Sequence, residues 1–297
     1  MTPRSDVPAL ESIPTAGDIL AGHSVELTPR DKKSLELAPK LLNPGTEVFV
    51  AALPNDRIED VTAACAVLRN GGLRPVPHLV ARNIPSAAIL DTFLRNLVQE
   101  AGMDCCLVLG GDRNEPAGPF TSSLQLLETG LLQKHGVKTI RIGCYPERHL
   151  KISEAALDEA RTAKLALAER EGLDVTLVSQ FVFEAAPIID FARRIRSSGV
   201  KAPFRVGLAG PADRALLIKY AFICGIGNSL RVLKGRGNMA INAMAGETPD
   251  EIVRDLVKAR VEEPSLGISG VHLFTFGSLE KSARWATARQ AGSNRDR

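Results

Sequence analysis

Short apolar runs, each followed by a stretch with apolar residues at helical spacing, recur along the whole chain. The runs are Ser24–Leu27, Val48–Leu53, Arg74–Val80, Cys105–Gly111, Thr139–Tyr145, Val175–Phe183, Phe204–Leu208 and Val271–Phe276. Val48-Phe49-Val50-Ala51-Ala52-Leu53 is unbroken in its apolarity, as expected of a parallel strand covered on both faces. The intervening pattern predicts helices over Asp31–Leu42, Ile58–Asn70, Ser86–Ala101, Ser122–His135, Glu154–Glu171, Pro187–Ser197 and Asp213–Ile223, with Leu279–Arg289 after the last strand. Ser153 is placed to cap one helix, and Gly71-Gly72 to end another. Strand–helix alternation predicts a parallel sheet, and eight repeats predict an α/β fold closed as a (β/α)8 TIM barrel. A helical insertion, Asn228–Met244 and Thr248–Val261, is expected before the last strand. Residues 1–297 then form a single barrel domain, with flexible tails expected at about 1–14 and 290–297.

Composition narrows this picture. With 297 residues, 44% of them hydrophobic, the chain can bury one large core. The net charge of +3 comes from 37 basic and 34 acidic residues, too small a bias to indicate nucleic acid or a membrane surface as partner. Two tyrosines and one tryptophan offer little for stacking on bases. No apolar run approaches the ~20 residues that span a bilayer, and Met1–Pro14 lacks the apolar centre of a signal peptide. Cys65, Cys105, Cys106, Cys144 and Cys224 form no CxxC pair and read as reduced core residues of a cytoplasmic protein.

Candidate chemistry gathers at the strand ends, which converge on one mouth in a barrel. Glu26 stands in an otherwise apolar strand, where desolvation favours its neutral, acid form unless it is paired. Asp112 follows Gly110-Gly111, two residues that let a flat ligand approach the backbone; a helix N-cap is the structural alternative. Gln180, an amide among apolar residues, needs partners that either a heteroaromatic edge or the backbone can supply. Tyr145-Pro146-Glu147-Arg148-His149 follows another strand; no second histidine stands at metal-ligand spacing, so no metal is expected. His78, a lone histidine after Pro77, reads on its own as structural. Asp158, Arg161 and Lys164 share one side of a helix, as a solvated face or as a grip on phosphate. No GxGxxG, P-loop or GxSxG is present, and Asp104 with Asp112 makes no convincing glycosidase pair. Lys234-Gly235-Arg236-Gly237 reads as a helix-breaking turn before it reads as a phosphate contact. The residues alone reach as far as a barrel enzyme for a flat polar ligand.

Taken together and in order, the motifs resemble the methylenetetrahydrofolate reductase family, from about Val25 to Trp285. Ser24-Val25-Glu26-Leu27-Thr28-Pro29 is similar to that family's S-F-E-F-x-P, and Val76-Pro77-His78-Leu79 to A-P-H-L. Leu109-Gly110-Gly111-Asp112 corresponds to L-R-G-D, and Cys144-Tyr145-Pro146-Glu147-Arg148-His149 to A-Y-P-E-x-H. Ser179-Gln180-Phe181-Val182-Phe183 resembles T-Q-x-x-F, and His272-Leu273-Phe274-Thr275-Phe276 resembles H-F-Y-T-x-N. The resemblance implies a barrel with noncovalent FAD and hydride transfer between flavin and the one-carbon unit of tetrahydrofolate. It implies Glu26 as general acid, protonated near neutral pH, and Asp112 beside flavin and folate. Gln180 and Phe274 would then contact the folate, and His78, Gly111, Asp112, Tyr145, His149, Asp158, Arg161 and Lys164 would hold FAD. A homo-oligomer is implied as well.

The chain departs from the pattern around the flavin. Val50-Ala51-Ala52-Leu53 stands for V-T-Y-G, Gly110 for the arginine of L-R-G-D, Phe274 for tyrosine and Phe276-Gly277-Ser278 for L-N-R. These changes point to an electron partner other than NAD(P)H, or to oxidation of 5-methyltetrahydrofolate. Two other classes compete: a flavin-free folate- or pterin-binding barrel related to methyltransferases, and a non-catalytic partner subunit.

Overall fold

The computed structural model describes residues 15–212, 214–224 and 248–293. Eight parallel strands pair in chain order and close on themselves: β1 (Ser24–Leu27), β2 (Glu47–Val50), β3 (Arg74–Val80), β4 (Cys105–Leu109), β5 (Thr139–Cys144), β6 (Asp174–Ser179), β7 (Phe204–Ala209) and β8 (Ile268–Phe274). Closure is parallel between β1 and β8, with Ser24 opposite His272 and Glu26 opposite Phe274. The barrel expected from the alternation is therefore observed. Several strands stop earlier at their C-terminal ends than the apolar runs do. Ala51–Leu53, Gly110–Gly111 and Gln180–Phe183 belong to the rim rather than to the ladder.

Helices cover the barrel: α1 (Ala16–Leu20), α2 (Lys32–Leu41), α3 (Ile58–Asn70), α4 (Ala87–Ala101), α5 (Ser123–Glu128), α6 (Leu131–Lys134), α7 (Glu154–Arg170), α8 (Ala185–Ser197), α9 (Arg214–Ile223), α10 (Asp250–Glu262) and α11 (Leu279–Ser293). The single helix expected over Ser122–His135 is two, because Gly130 turns into the left-handed region at φ 67° and starts the second. Of the insertion before β8, α10 lies close to where Thr248–Val261 was expected. Asn228–Met244 and the Lys234–Gly237 segment fall outside the described residues. Residues 290–293, expected in a C-terminal tail, are helical. Gln290 is inside α11 and donates from Nε2 to the Leu20 carbonyl at 2.8 Å, tying α11 to α1.

Strand alternation sorts the core into two parts. Val25, Val48, Val50, Leu79 and Val108 face outward into the shell between barrel and helices, where most of the apolar core lies. Phe49, Val76, Cys105, Leu107 and Val178 fill the barrel itself. Below them the barrel is floored by a buried ion network. Glu47 accepts from Arg74 Nη1 at 2.8 Å, Arg141 Nη2 at 2.5 Å and Arg205 Nη1 at 3.0 Å. Burial works against the Glu47 charge, but Arg141 and Arg205 outweigh it and hold the carboxyl below its usual range. Asp104 belongs to this floor, 2.9 Å from Arg74 Nε, at the opposite end of β4 from Asp112. No helix among the described residues is long and apolar enough to cross a membrane.

Candidate functional site

Glu26 points into the top of the barrel, with 21% of its side chain exposed. Its Oε2 lies 3.3 Å from Nε2 of His78 on β3 and 3.7 Å from Nε2 of His272 on β8. Both imidazoles are buried, and His272 packs on the Phe49 ring at 4.3 Å. On its far side His272 Nδ1 is 2.8 Å from Ser24 Oγ.

The surroundings reverse one expectation. Burial does push the Glu26 carboxyl up, but the His272 and His78 imidazoles beside it more than offset this and bring the pKa down to about 2. Glu26 is thus a carboxylate at neutral pH, not the neutral acid that its apolar strand suggested. The sequence could not show this, because both imidazoles come from distant strands. Burial meanwhile lowers the His272 pKa, against the pull of Glu26, so its ring is largely neutral.

Beside this cluster a cavity of about 420 Å³ opens between the ends of β4 and β5 and the helices α5, α7 and α8. The volume is that of a small-molecule or cofactor site, roughly 300–1,000 Å³. Among the residues expected to hold FAD, Gly111, Asp112, Tyr145, His149, Asp158, Arg161 and Lys164 all line it; His78 stands apart, with Glu26. Asp112 caps no helix, since the chain runs on as a loop until α5. Tyr145 and His149 meet edge to face at 4.9 Å. Burial, then the Asp112 charge, raise the Tyr145 pKa to about 12. His149 is lowered by burial, with Asp112 opposing.

The donor set suits a diphosphate. Six cations line the cavity (Arg82, Arg113, Lys151, Arg161, Lys164 and Arg194) against three carboxylates. Arg161 is buried and pairs with Asp158 at 2.8 Å, yet its Nε has no partner. Lys164 sits deep enough for burial to lower its pKa, and its nearest side-chain acceptor is Ser123 Oγ at 3.5 Å. Such cations are costly without an anion. A Cβ added to Gly110 would meet nothing within 4 Å, so the backbone there borders open space. Gly111, at φ 99°, has a different reason: its Cβ would fall 2.5 Å from Val80 Cγ1. The cationic lining therefore suits the diphosphate of a dinucleotide.

Gln180 and Phe274 belong to the rim rather than to the cavity. Gln180 Oε1 accepts from the Phe181 amide at 3.0 Å, the backbone bond weighed as its structural alternative, and its amide nitrogen remains available. Phe274 joins Phe181 at 5.2 Å, and Phe276 lies 5.1 Å from Phe181 and 4.8 Å from Tyr220 of α9, making an aromatic wall. Cys224, just past α9, is close enough for the Glu26 and Asp112 charges to add to the burial that raises its thiol to about 12. It is therefore inert as a nucleophile at neutral pH.

Sequence reasoning gave no specific role to four contributors, of which Thr275 stood only among the polar residues at the strand ends. Ser24 and His272 were quoted in motifs but given no role. Thr275 donates from Oγ1 to the Glu26 carbonyl at 2.7 Å, latching β8 to β1. Arg82 donates to the carbonyls of Arg113 (2.6 Å), Asn114 (2.6 Å) and Thr121 (3.2 Å), fixing the loop after β4. Only strand parity could have flagged the first two: Ser24 and Glu26, like His272 and Phe274, are two apart and so face the same interior. Among the described residues no group of His, Cys, Asp and Glu is placed to hold a metal ion.

No sequence-family model matches the chain. Solved structures of similar fold include a protein from Clostridium thermocellum that binds two copies of 5-methyl-5,6,7,8-tetrahydrofolic acid, at TM-score 0.55 and 12% identity, covering 90% of this chain and 98% of that one. Dihydropteroate synthase from Thermus thermophilus matches at TM-score 0.47 and 15% identity, covering 91% and 92%. Sialic acid aldolase from Ruminococcus gnavus matches at TM-score 0.49 and 11% identity, covering 92% and 76%. At such identities the likeness is one of fold: a TIM barrel.

Proposed function

We propose that this protein is a flavin-dependent enzyme interconverting 5-methyltetrahydrofolate and 5,10-methylenetetrahydrofolate. The observation that carries the reading is the Glu26 carboxylate, held between two imidazoles at the barrel mouth beside a cationic cavity. The Clostridium thermocellum barrel, by the ligand it binds, supports the folate half; the cavity, its six cations and the unpartnered Nε of Arg161 support the flavin half.

A bound flavin supplies the two-electron acceptor or donor. The chain supplies the rest. Arg161 and Lys164 offset the diphosphate charge, and Asp158 keeps Arg161 in place. Gln180, its oxygen committed to the backbone, donates its amide hydrogens to an acceptor on the pterin edge. The wall of Phe181, Phe274 and Phe276 gives the flat substrate an apolar surface. In the oxidising direction the methyl group gives up hydride, N10 closes on the resulting iminium carbon, and Glu26 takes the proton that N10 sheds. An ionised Glu26 is ready for that role at neutral pH. In the reducing direction the same carboxyl must first gain a proton, then give it to N10 as the ring opens.

The test is anaerobic: the FAD-loaded protein is mixed with 5-methyltetrahydrofolate while the visible flavin band is followed. Bleaching is expected in wild type and not in Glu26→Gln, with FAD retained in both. A bound flavin that stays oxidised under excess folate overturns the reductase chemistry. Folate binding with no flavin uptake assigns the fold to the flavin-free class instead.

A further inference from the structure

His272 sits between two oxygens, and its two ring nitrogens cannot be assigned independently. Nδ1 lies 2.8 Å from Ser24 Oγ, and Nε2 lies 3.7 Å from Glu26 Oε2. Ser24 is fully buried and His272 is 1% exposed, so water cannot substitute on the Ser24 side. A neutral imidazole carries one N–H. If Ser24 donates to Nδ1, the hydrogen is on Nε2 and faces Glu26, which suits a carboxylate. If instead Nδ1–H donates to Ser24, a bare Nε2 lone pair faces Glu26, which suits only a protonated carboxyl.

We propose that Ser24 is a positioning residue that fixes the tautomer of His272 and, through it, the protonation state of Glu26. The inference rests on Glu26 being the group that moves a proton to and from folate. The hydroxyl of Ser24 has no other hydrogen-bond partner among the described residues, so its proton is free to serve Nδ1. With its hydrogen held on Nε2, His272 faces the carboxylate as a donor and offers the protonated carboxyl no acceptor, so the ionised form of Glu26 is favoured.

The other charged or titratable groups near this chain of contacts are few. His78 of β3 lies on the Glu26 side at 3.3 Å. Arg205 of β7 lowers the His272 pKa through space, as does His78. Cys224 beyond α9 is held neutral by burial. His23, ahead of β1, is lowered by burial, with its Nδ1 at the Leu20 carbonyl. Phe49 of β2 and Phe274 of β8 pack on the His272 ring at 4.3 and 4.8 Å and keep it from turning. None of these offers Nδ1 a second partner, so Ser24 alone determines that nitrogen.

Nitrogen NMR of the histidine rings, on isotope-labelled protein without flavin or folate, reads the tautomer directly. The wild type is expected to show His272 neutral with hydrogen on Nε2 at neutral pH. In Ser24→Ala that hydrogen moves wholly or partly to Nδ1, and the midpoint of Glu26 titration, followed by its carboxyl carbon shift, rises by about one pH unit, a tenfold change in ionisation ratio. Ser24→Thr, which keeps the hydroxyl, restores both. Hydrogen on Nδ1 in the wild type overturns the proposal. So does an unchanged tautomer in a folded Ser24→Ala protein. Because these spectra need neither ligand, they stand or fall separately from the flavin-bleaching experiment.

Discussion

Replacing Glu26 by glutamine is expected to destabilise the protein, contrary to the common behaviour of residues kept for chemistry. The carboxyl pKa falls from 4.5 to about 2 in the folded state. At about 1.4 kcal/mol per pH unit, that fall of roughly 2.5 units sets an upper figure of about 3 kcal/mol. A depressed carboxyl contributes stability that is present above its unfolded pKa near 4.5 and is lost as pH falls toward about 2. Glutamine cannot ionise, so the variant lacks this contribution at every pH. Thermal unfolding followed by circular dichroism at neutral pH should show a Tm lower by about 5 °C, taking roughly 2 °C per kcal/mol for a large domain. Denaturant titrations across the acid range should show the two proteins converging below pH 4.5. A variant as stable as wild type, or more so, would refute the reasoning. It would mean that burial prevails over the two imidazoles and that Glu26 is a neutral acid in the resting protein.

Other outcomes follow from the same geometry. Glu47→Gln leaves three arginines without their shared carboxylate and should cost about 3–5 kcal/mol in denaturant unfolding; a loss under about 1 kcal/mol would show that the floor is well solvated. Arg161→Met and Lys164→Met should each weaken FAD binding at least about tenfold in fluorescence titrations and flatten its salt dependence; Lys164→Met should do so without lowering Tm, because burial already works against its charge. Gly111→Ala should lower Tm, since it places a Cβ against Val80 at a backbone angle that side chains avoid. Gly110→Arg has room for its Cβ and should tighten FAD binding by adding a cation at the cavity edge; weaker binding would mean that the open space there is where the ligand lies.

The barrel was legible because strand–helix alternation is a local signal repeated eight times. Strand ends were less so: Gly110–Gly111 and Gln180–Phe183 continue their runs after the ladder has stopped, and only pairing partners show where it stops. The split of α5 from α6 turned on one left-handed glycine, Gly130, which spacing cannot distinguish from a tolerated helical one. The cavity-lining residues on α7 were readable because Asp158, Arg161 and Lys164 share a helix face. The ionisation of Glu26 was not, because it depends on His78 and His272, distant in sequence and adjacent only after the barrel closes. Glu47 illustrates the same limit. Its partners Arg74, Arg141 and Arg205 stand on three other strands and meet it only when the barrel closes.

Arg82 has a consequence for traffic through the mouth. Its guanidinium holds three carbonyls of the loop after β4, and Arg113 in turn reaches Asn83 Oδ1 at 3.0 Å and the Pro54 carbonyl. A loop fastened at that many points is masonry, not a door. Arrival of a ligand on this side is then governed by diffusion through a fixed opening edged with positive charge, so its rate should fall with added salt and barely respond to solvent viscosity beyond the diffusive share.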